Sequence, residues 1–180
     1  VGGTLDVTTG TGANQTLGSA TINLTGGSIT GVANSNLDFF NGGSAINSLA
    51  SATTSTIAGA RISLRQNGGV TITVADGAAA NDLNISSVIA TNGSFTNNNL
   101  TKAGPGTLTL TGDNTYTGTT FVTGGKLSLS GDGHLADANI VSLSGSSVFE
   151  IAGINASSEK IAALAGAVGT TVNLGAGKLL

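Results

Sequence analysis

Short apolar–polar–apolar triplets recur along the whole chain. They are Leu5-Asp6-Val7, Ile22-Asn23-Leu24, Leu37-Asp38-Phe39, Ile62-Ser63-Leu64, Ile72-Thr73-Val74 and Leu83-Asn84-Ile85. They continue as Leu108-Thr109-Leu110, Leu127-Ser128-Leu129, Val141-Ser142-Leu143, Phe149-Glu150-Ile151 and Val172-Asn173-Leu174. Alternation at period two marks a strand with one buried face. The outer two side chains of each triplet are expected inside and the middle one in solvent. Glycine pairs at Gly26-Gly27, Gly42-Gly43, Gly68-Gly69 and Gly124-Gly125 follow many of the triplets. They supply the positive φ angles that tight corners need.

The triplets lie roughly 10 to 25 residues apart at irregular intervals, which excludes a strict hexapeptide or nonapeptide solenoid. They predict an all-β chain: a right-handed parallel β-helix, a β-solenoid forming a single elongated domain. Each strand there stacks on its equivalent one coil away, and turn lengths are free to vary. With about 20 residues per coil the chain makes about nine coils, a rod of about 40 Å. A β-sandwich competes, since it also strings short strands between turns. Its core usually draws on aromatics, and this chain has five Phe, one Tyr and no Trp. Two segments break the pattern. Ala45–Ala60 reads as a loop or irregular coil. Ser157–Gly166 reads either as a helix, with Ser157 as N-cap and Ile161 and Leu164 three apart, or as one more coil with a short extended segment.

Composition narrows the function. Only 8% of the 180 residues are charged, against about 25% in an ordinary soluble domain, while 39% are hydrophobic. That argues against disorder, which combines low hydrophobicity with high charge. The basic residues Arg61, Arg65, Lys102, Lys126, Lys160 and Lys178 are scattered, so no stripe meets a phosphate backbone and no nucleic-acid partner is expected. No cysteine is present, which removes disulfides and thiolate chemistry. The chain starts at Val1 in mid-pattern, without Met or a signal pattern, and reads as an excised length of something longer.

The densest glycine punctuation is in Leu100–Leu127, LTKAGPGTLTLTGDNTYTGTTFVTGGKL. Leu100, Lys102, Gly104, Gly106, Thr107, Leu108 and Leu110 fall at fixed spacing, followed by Gly112, Asn114, Tyr116, Gly118, Thr120, Val122, Gly125 and Leu127. These positions resemble the autotransporter-associated β-strand repeat of bacterial autotransporter passenger domains. Pro105, Thr119 and Phe121 depart from the pattern without upsetting its spacing. The best match is 100–127, and 128–180 look like related coils, beginning with a connector at Ser130–Ala138. Residues 1–99 rest on composition and triplets alone. The resemblance implies that 1–180 is a β-helix length of a passenger exported through the periplasm and outer membrane to the cell surface. It implies a structural shaft that aids folding and display. Its partner would be a C-terminal β-barrel translocator of the same polypeptide, absent from this sequence. An adhesin surface for a host glycan or protein is the alternative, and a polysaccharide-degrading β-helix enzyme a further one.

Chemistry is sparse. His134 is the only histidine, and Asp132, His134 and Asp137 share a loop that offers a metal three ligands. Turn chemistry explains the same residues, and no second histidine completes a zinc set. Asp6 and Asp38 would stack on one outer face if their coils aligned, as a carboxylate pair requires. Thr71/Thr73, Thr107/Thr109/Thr111 and Thr115/Thr117 suggest a water-ordering ladder, interrupted by Ser, Asn and Asp elsewhere. The expectation is therefore no catalytic, cofactor-binding or metal residue, and no cofactor. Apolar Leu179-Leu180 and exposed strand edges predict end-to-end self-association of this length.

Overall fold

Nineteen short strands, all paired in parallel, wind into a β-solenoid among the residues that the computed structural model describes: 3–6, 14–18, 20–32, 35–40, 43–65, 69–91 and 98–180. The first sheet stacks β1 (Thr4–Asp6), β4 (Ser28–Thr30), β7 (Ser55–Ala58), β10 (Leu83–Ile85), β13 (Thr107–Leu110), β15 (Lys126–Gly131), β17 (Val148–Ile154) and β19 (Thr171–Asn173). The second holds β2 (Asn14–Thr16), β5 (Asn36–Phe39), β8 (Arg61–Leu64) and β11 (Ile89–Thr91). The third holds β3 (Thr21–Leu24), β6 (Ala45–Ser48), β9 (Val70–Val74), β12 (Leu100–Ala103), β14 (Thr119–Val122), β16 (Ile140–Leu143) and β18 (Ala163–Gly166). The chain visits the sheets in turn, so neighbours in a sheet are one coil apart.

Register turns the triplets into columns. Ile29, Ile57, Ile85, Leu110 and Leu129 stand side by side in the first sheet, each fully buried. Beside them run Leu83, Leu108, Leu127 and Phe149, equally buried. Each aliphatic side chain so enclosed contributes about 1.5–3 kcal/mol through removal from water. Stacked Leu, Ile and Val make up most of the core, which also encloses Phe39, Tyr116 and Phe149.

Coil length is longer and less regular than about 20 residues. It is 24 from Thr4 to Ser28, 28 from Ser28 to Thr56 and 28 from Ser55 to Leu83. It then falls to 25 at Leu108, 19 from Thr107 to Lys126, 22 to Val148 and 23 to Thr171. The first sheet therefore stacks eight described strands, and at about 4.8 Å a step it is roughly 34 Å long rather than 40 Å.

Two local expectations are corrected and an open one is decided. Ala45–Ala60 is not a loop: it contains β6 and β7, each built around a single buried isoleucine, Ile46 or Ile57. Small inward residues replace the second aliphatic there, and the Ser48 hydroxyl bonds Ser55 Oγ at 3.1 Å and the Asp82 carbonyl at 3.0 Å. Of the two readings of Ser157–Gly166, the further coil with a short extended segment is the one observed, since Ala163–Gly166 pairs with β16 and Ser158 bridges Leu179. Several middle residues of the triplets are outward in register yet shielded. Asp38, Ser63, Thr109 and Ser128 are all buried. Arg65 covers Asp38 at 2.6 Å, and the hydroxyls of Ser63, Thr109 and Ser128 reach Asn36, Asn81 and Glu150. Val7, Gly42 and Gly68 lie outside the described residues.

Register is testable at one neighbouring pair. Leu110→Asp places a carboxylate in the lumen and is expected to cost several kcal/mol. Thr109→Asp loses one covered hydroxyl contact and is expected to cost about 1 kcal/mol. Urea denaturation midpoints of the two variants check this; equal shifts would mean that the assigned faces are wrong.

Candidate functional site

The second sheet ends at β11, where the coil contracts to 19 residues. Backbone groups on that face still need partners. Buried asparagines supply them. Asn114 Oδ1 accepts from Ile89 N at 3.0 Å in the preceding coil. Its amide nitrogen donates to Gly112 O at 2.8 Å in its own coil and to His134 O at 2.9 Å in the next. Asn139 repeats the device one coil on, donating to Gly118 O at 2.7 Å while its Oδ1 accepts from Thr120 Oγ1 at 2.7 Å. The same hydroxyl meets Tyr116 Oη at 2.6 Å, and burial raises the tyrosine's pKa. Asn99 Oδ1 accepts from Thr119 N at 2.9 Å.

Lys102 occupies a lumen position. In the third sheet it stands between Ile72 and Val122 and is completely buried. Its ammonium has three donors, and three carbonyls receive them: Ala103 O at 3.1 Å, Gly104 O at 2.8 Å and Gly124 O at 2.8 Å. Gly104 and Gly124 belong to successive coils, so one side chain ties two corners together. Burial pushes the amine down to about 8, opposed by the charge of Asp82. Gly104 itself turns at φ +79°, and a Cβ there would lie 2.4 Å from Val74 O, so only glycine fits. Gly118 is needed for close approach instead, since a Cβ would meet Asn98 O at 2.3 Å.

The histidine loop is tied to a residue that its own spacing does not reveal. His134 Nδ1 lies 2.8 Å from Glu159 Oε2, and Leu135 N donates to Glu159 Oε1 at 2.7 Å. Glu159 is almost wholly buried, and desolvation raises its pKa against these contacts. Asp137 is 3.8 Å from His134 Nε2 and accepts from Lys160 Nζ at 2.7 Å, which holds its carboxyl below the usual range. Asp132 is engaged elsewhere, by Asn155 at 2.8 Å. Asp132, His134 and Asp137 therefore do not converge, and no group of metal-holding side chains forms among the described residues. Asp6 and Asp38 sit in different sheets and cannot stack. Thr71 and Thr73 stand beside Ala45 and Asn47 on one side and Thr101 and Ala103 on the other, so no threonine ladder runs across the sheet.

Residues 100–129 match the family model of the passenger-associated-transport-repeat. The match spans 30 of the 180 residues. With the parallel solenoid around it, the repeat fits an autotransporter passenger domain built from β-repeats, a passenger-like structural role. No curated protein and no solved structure matches the chain.

The transport repeat's positions now have physical roles. Leu100, Leu108, Leu110, Val122 and Leu127 fill the lumen; Lys102 and Asn114 stitch coils; Tyr116 and Thr120 join the network of Asn139. The departures are harmless, since Pro105 is exposed at a corner and Phe121 is on the outer face. Sequence spacing found Lys102 and Asn114 as motif members, but not their partners. It missed Glu159, which reaches His134 across 25 residues only because that interval approximates one coil. All six cations are occupied: Arg65, Lys126 and Lys160 pair with Asp38, Glu150 and Asp137, while Arg61, Lys102 and Lys178 cap carbonyls.

The buried lysine sets a pH signature. Its folded pKa of about 8 is below the ordinary 10.5, so between these values the unfolded chain binds more protons than the folded one. Stability is therefore expected to rise with pH across that window. Urea titrations at stepped pH should show the rise, and Lys102→Met should flatten it.

Proposed function

We propose that this chain is a length of the shaft of an autotransporter passenger, which folds as a continuous stack and carries other passenger sequence at the bacterial cell surface. The observation that supports it best is the stitching of successive coils by Asn114, Asn139 and Lys102 within and beside the transport repeat. Such groups have value only where coils must stack in one register, which is what a shaft requires. The outward aromatics among the described residues also favour a shaft over an adhesin groove. Phe40 follows β5 of the second sheet under Arg65, at 4.2 Å, whereas Phe121 lies on the third. Asp38, Asp132, Asp137, Glu150 and Glu159 are held by fold contacts rather than gathered as a catalytic pair, in keeping with a non-catalytic role.

On this reading 1–180 is one part of a longer passenger. Its partner in cis is a C-terminal β-barrel translocator in the outer membrane. The isolated length would add coils end to end at the edge of β18, where Leu164 is 43% exposed.

Two measurements test these proposals. In a bacterium expressing the passenger fused to its barrel, Asn114→Ala should lower protease-resistant surface material severalfold by removing three buried hydrogen bonds. Undiminished display would contradict the folding role. Sedimentation over a concentration series should show association of the isolated chain, and a monomer throughout would contradict end stacking.

A further inference from the structure

We propose that His134, Glu159 and Asp137 form a clasp that tightens in mild acid and fastens residues 155–180 to the preceding coil. The clasp sits where a regular second-sheet strand is missing. Leu135 N, which a ladder would give to a backbone carbonyl, donates instead to the Glu159 side chain. Glu159 in turn is fixed to the last described segment, its N–H donating to Leu179 O at 3.0 Å.

The charges around Glu159 decide the direction. Lys160 is committed to Asp137, Lys178 caps the carbonyls of Ile154 and Ala156, and Asp132 is held by Asn155. Tyr116 is buried and neutral, and Asp113 bridges His134 through backbone alone. The group left to balance the buried carboxylate is the imidazole, whose side chain is 38% exposed and so in reach of solvent protons. With neutral imidazole, Glu159 receives two N–H contacts but no compensating charge. Protonated imidazole places one positive charge between Glu159 at 2.8 Å and Asp137 at 3.8 Å. Histidine gains its proton within the range between about pH 8 and about pH 5. Acidification over that range therefore strengthens the tie. Deeper acid turns the ion pair into a contact of imidazolium with a neutral carboxyl, because the desolvated carboxyl of Glu159 takes up a proton above the usual range for a glutamate.

Amide hydrogen exchange of the 180-residue chain, corrected for intrinsic rates, tests this at about pH 8 and about pH 6. Protection across 155–180 is expected to be about fivefold higher at the lower pH, with β13 and β15 unchanged or slightly less protected. The lysine in the lumen acts in the opposite sense, so it cannot imitate the effect. Glu159→Gln keeps an acceptor for Leu135 N and should abolish the pH difference, as should His134→Gln. A wild-type chain whose 155–180 protection is flat between the two pH values overturns the proposal whatever the variants do. An undiminished rise in Glu159→Gln overturns it as well.

Discussion

A backbone N–H that leaves a β-ladder inside a folded chain must find another acceptor, and this constraint governs the C-terminal half of the solenoid. When the second sheet stops at β11, a few backbone bonds continue, such as Thr115 N to Ile89 O, and side chains take up the rest. Asn114 presents an acceptor and two donors in the plane of one amide, and so serves three coils at once. Glu159 does the same for Leu135 with a carboxylate. An unpaired buried amide costs about 1–3 kcal/mol, which makes these few side chains as necessary as the aliphatic columns beside them.

The replacement permits a change of cross-section along one continuous stack. Coils of 28 residues carry three strands, and the 19-residue coil carries two, yet the first and third sheets run through without a break. The lumen columns need constant spacing only along the axis. Perimeter can vary as long as each corner returns the strands to register, and Lys102 fixes two successive corners against each other where the perimeter is smallest.

Much of this was legible in the chain. Leu108-Thr109-Leu110 and Leu127-Ser128-Leu129 announced strands and faces by alternation alone, and the motif around Lys102 and Asn114 marked the right segment. Other features were hidden for physical reasons. Ala45–Ala60 has one isoleucine per strand, so period two had nothing to alternate against. Lys102 follows the inward positions, but its charge argues outward until three carbonyls are seen to receive it. Glu159 lies one coil from His134, and coil lengths that range from 19 to 28 conceal which residues face each other.

The occupation of every cation by an internal contact gives the solenoid an electrically quiet exterior. Its net charge is −3 over 180 residues, and half of its positive groups point at carbonyls rather than at solvent. Long-range fields steer encounters and fade with salt over a Debye length of about 8–10 Å. Among the described residues the exposed positions are mostly small, polar or apolar and seldom charged, so there is little such field to lose. Dilute and saline media should therefore look nearly alike to the solenoid.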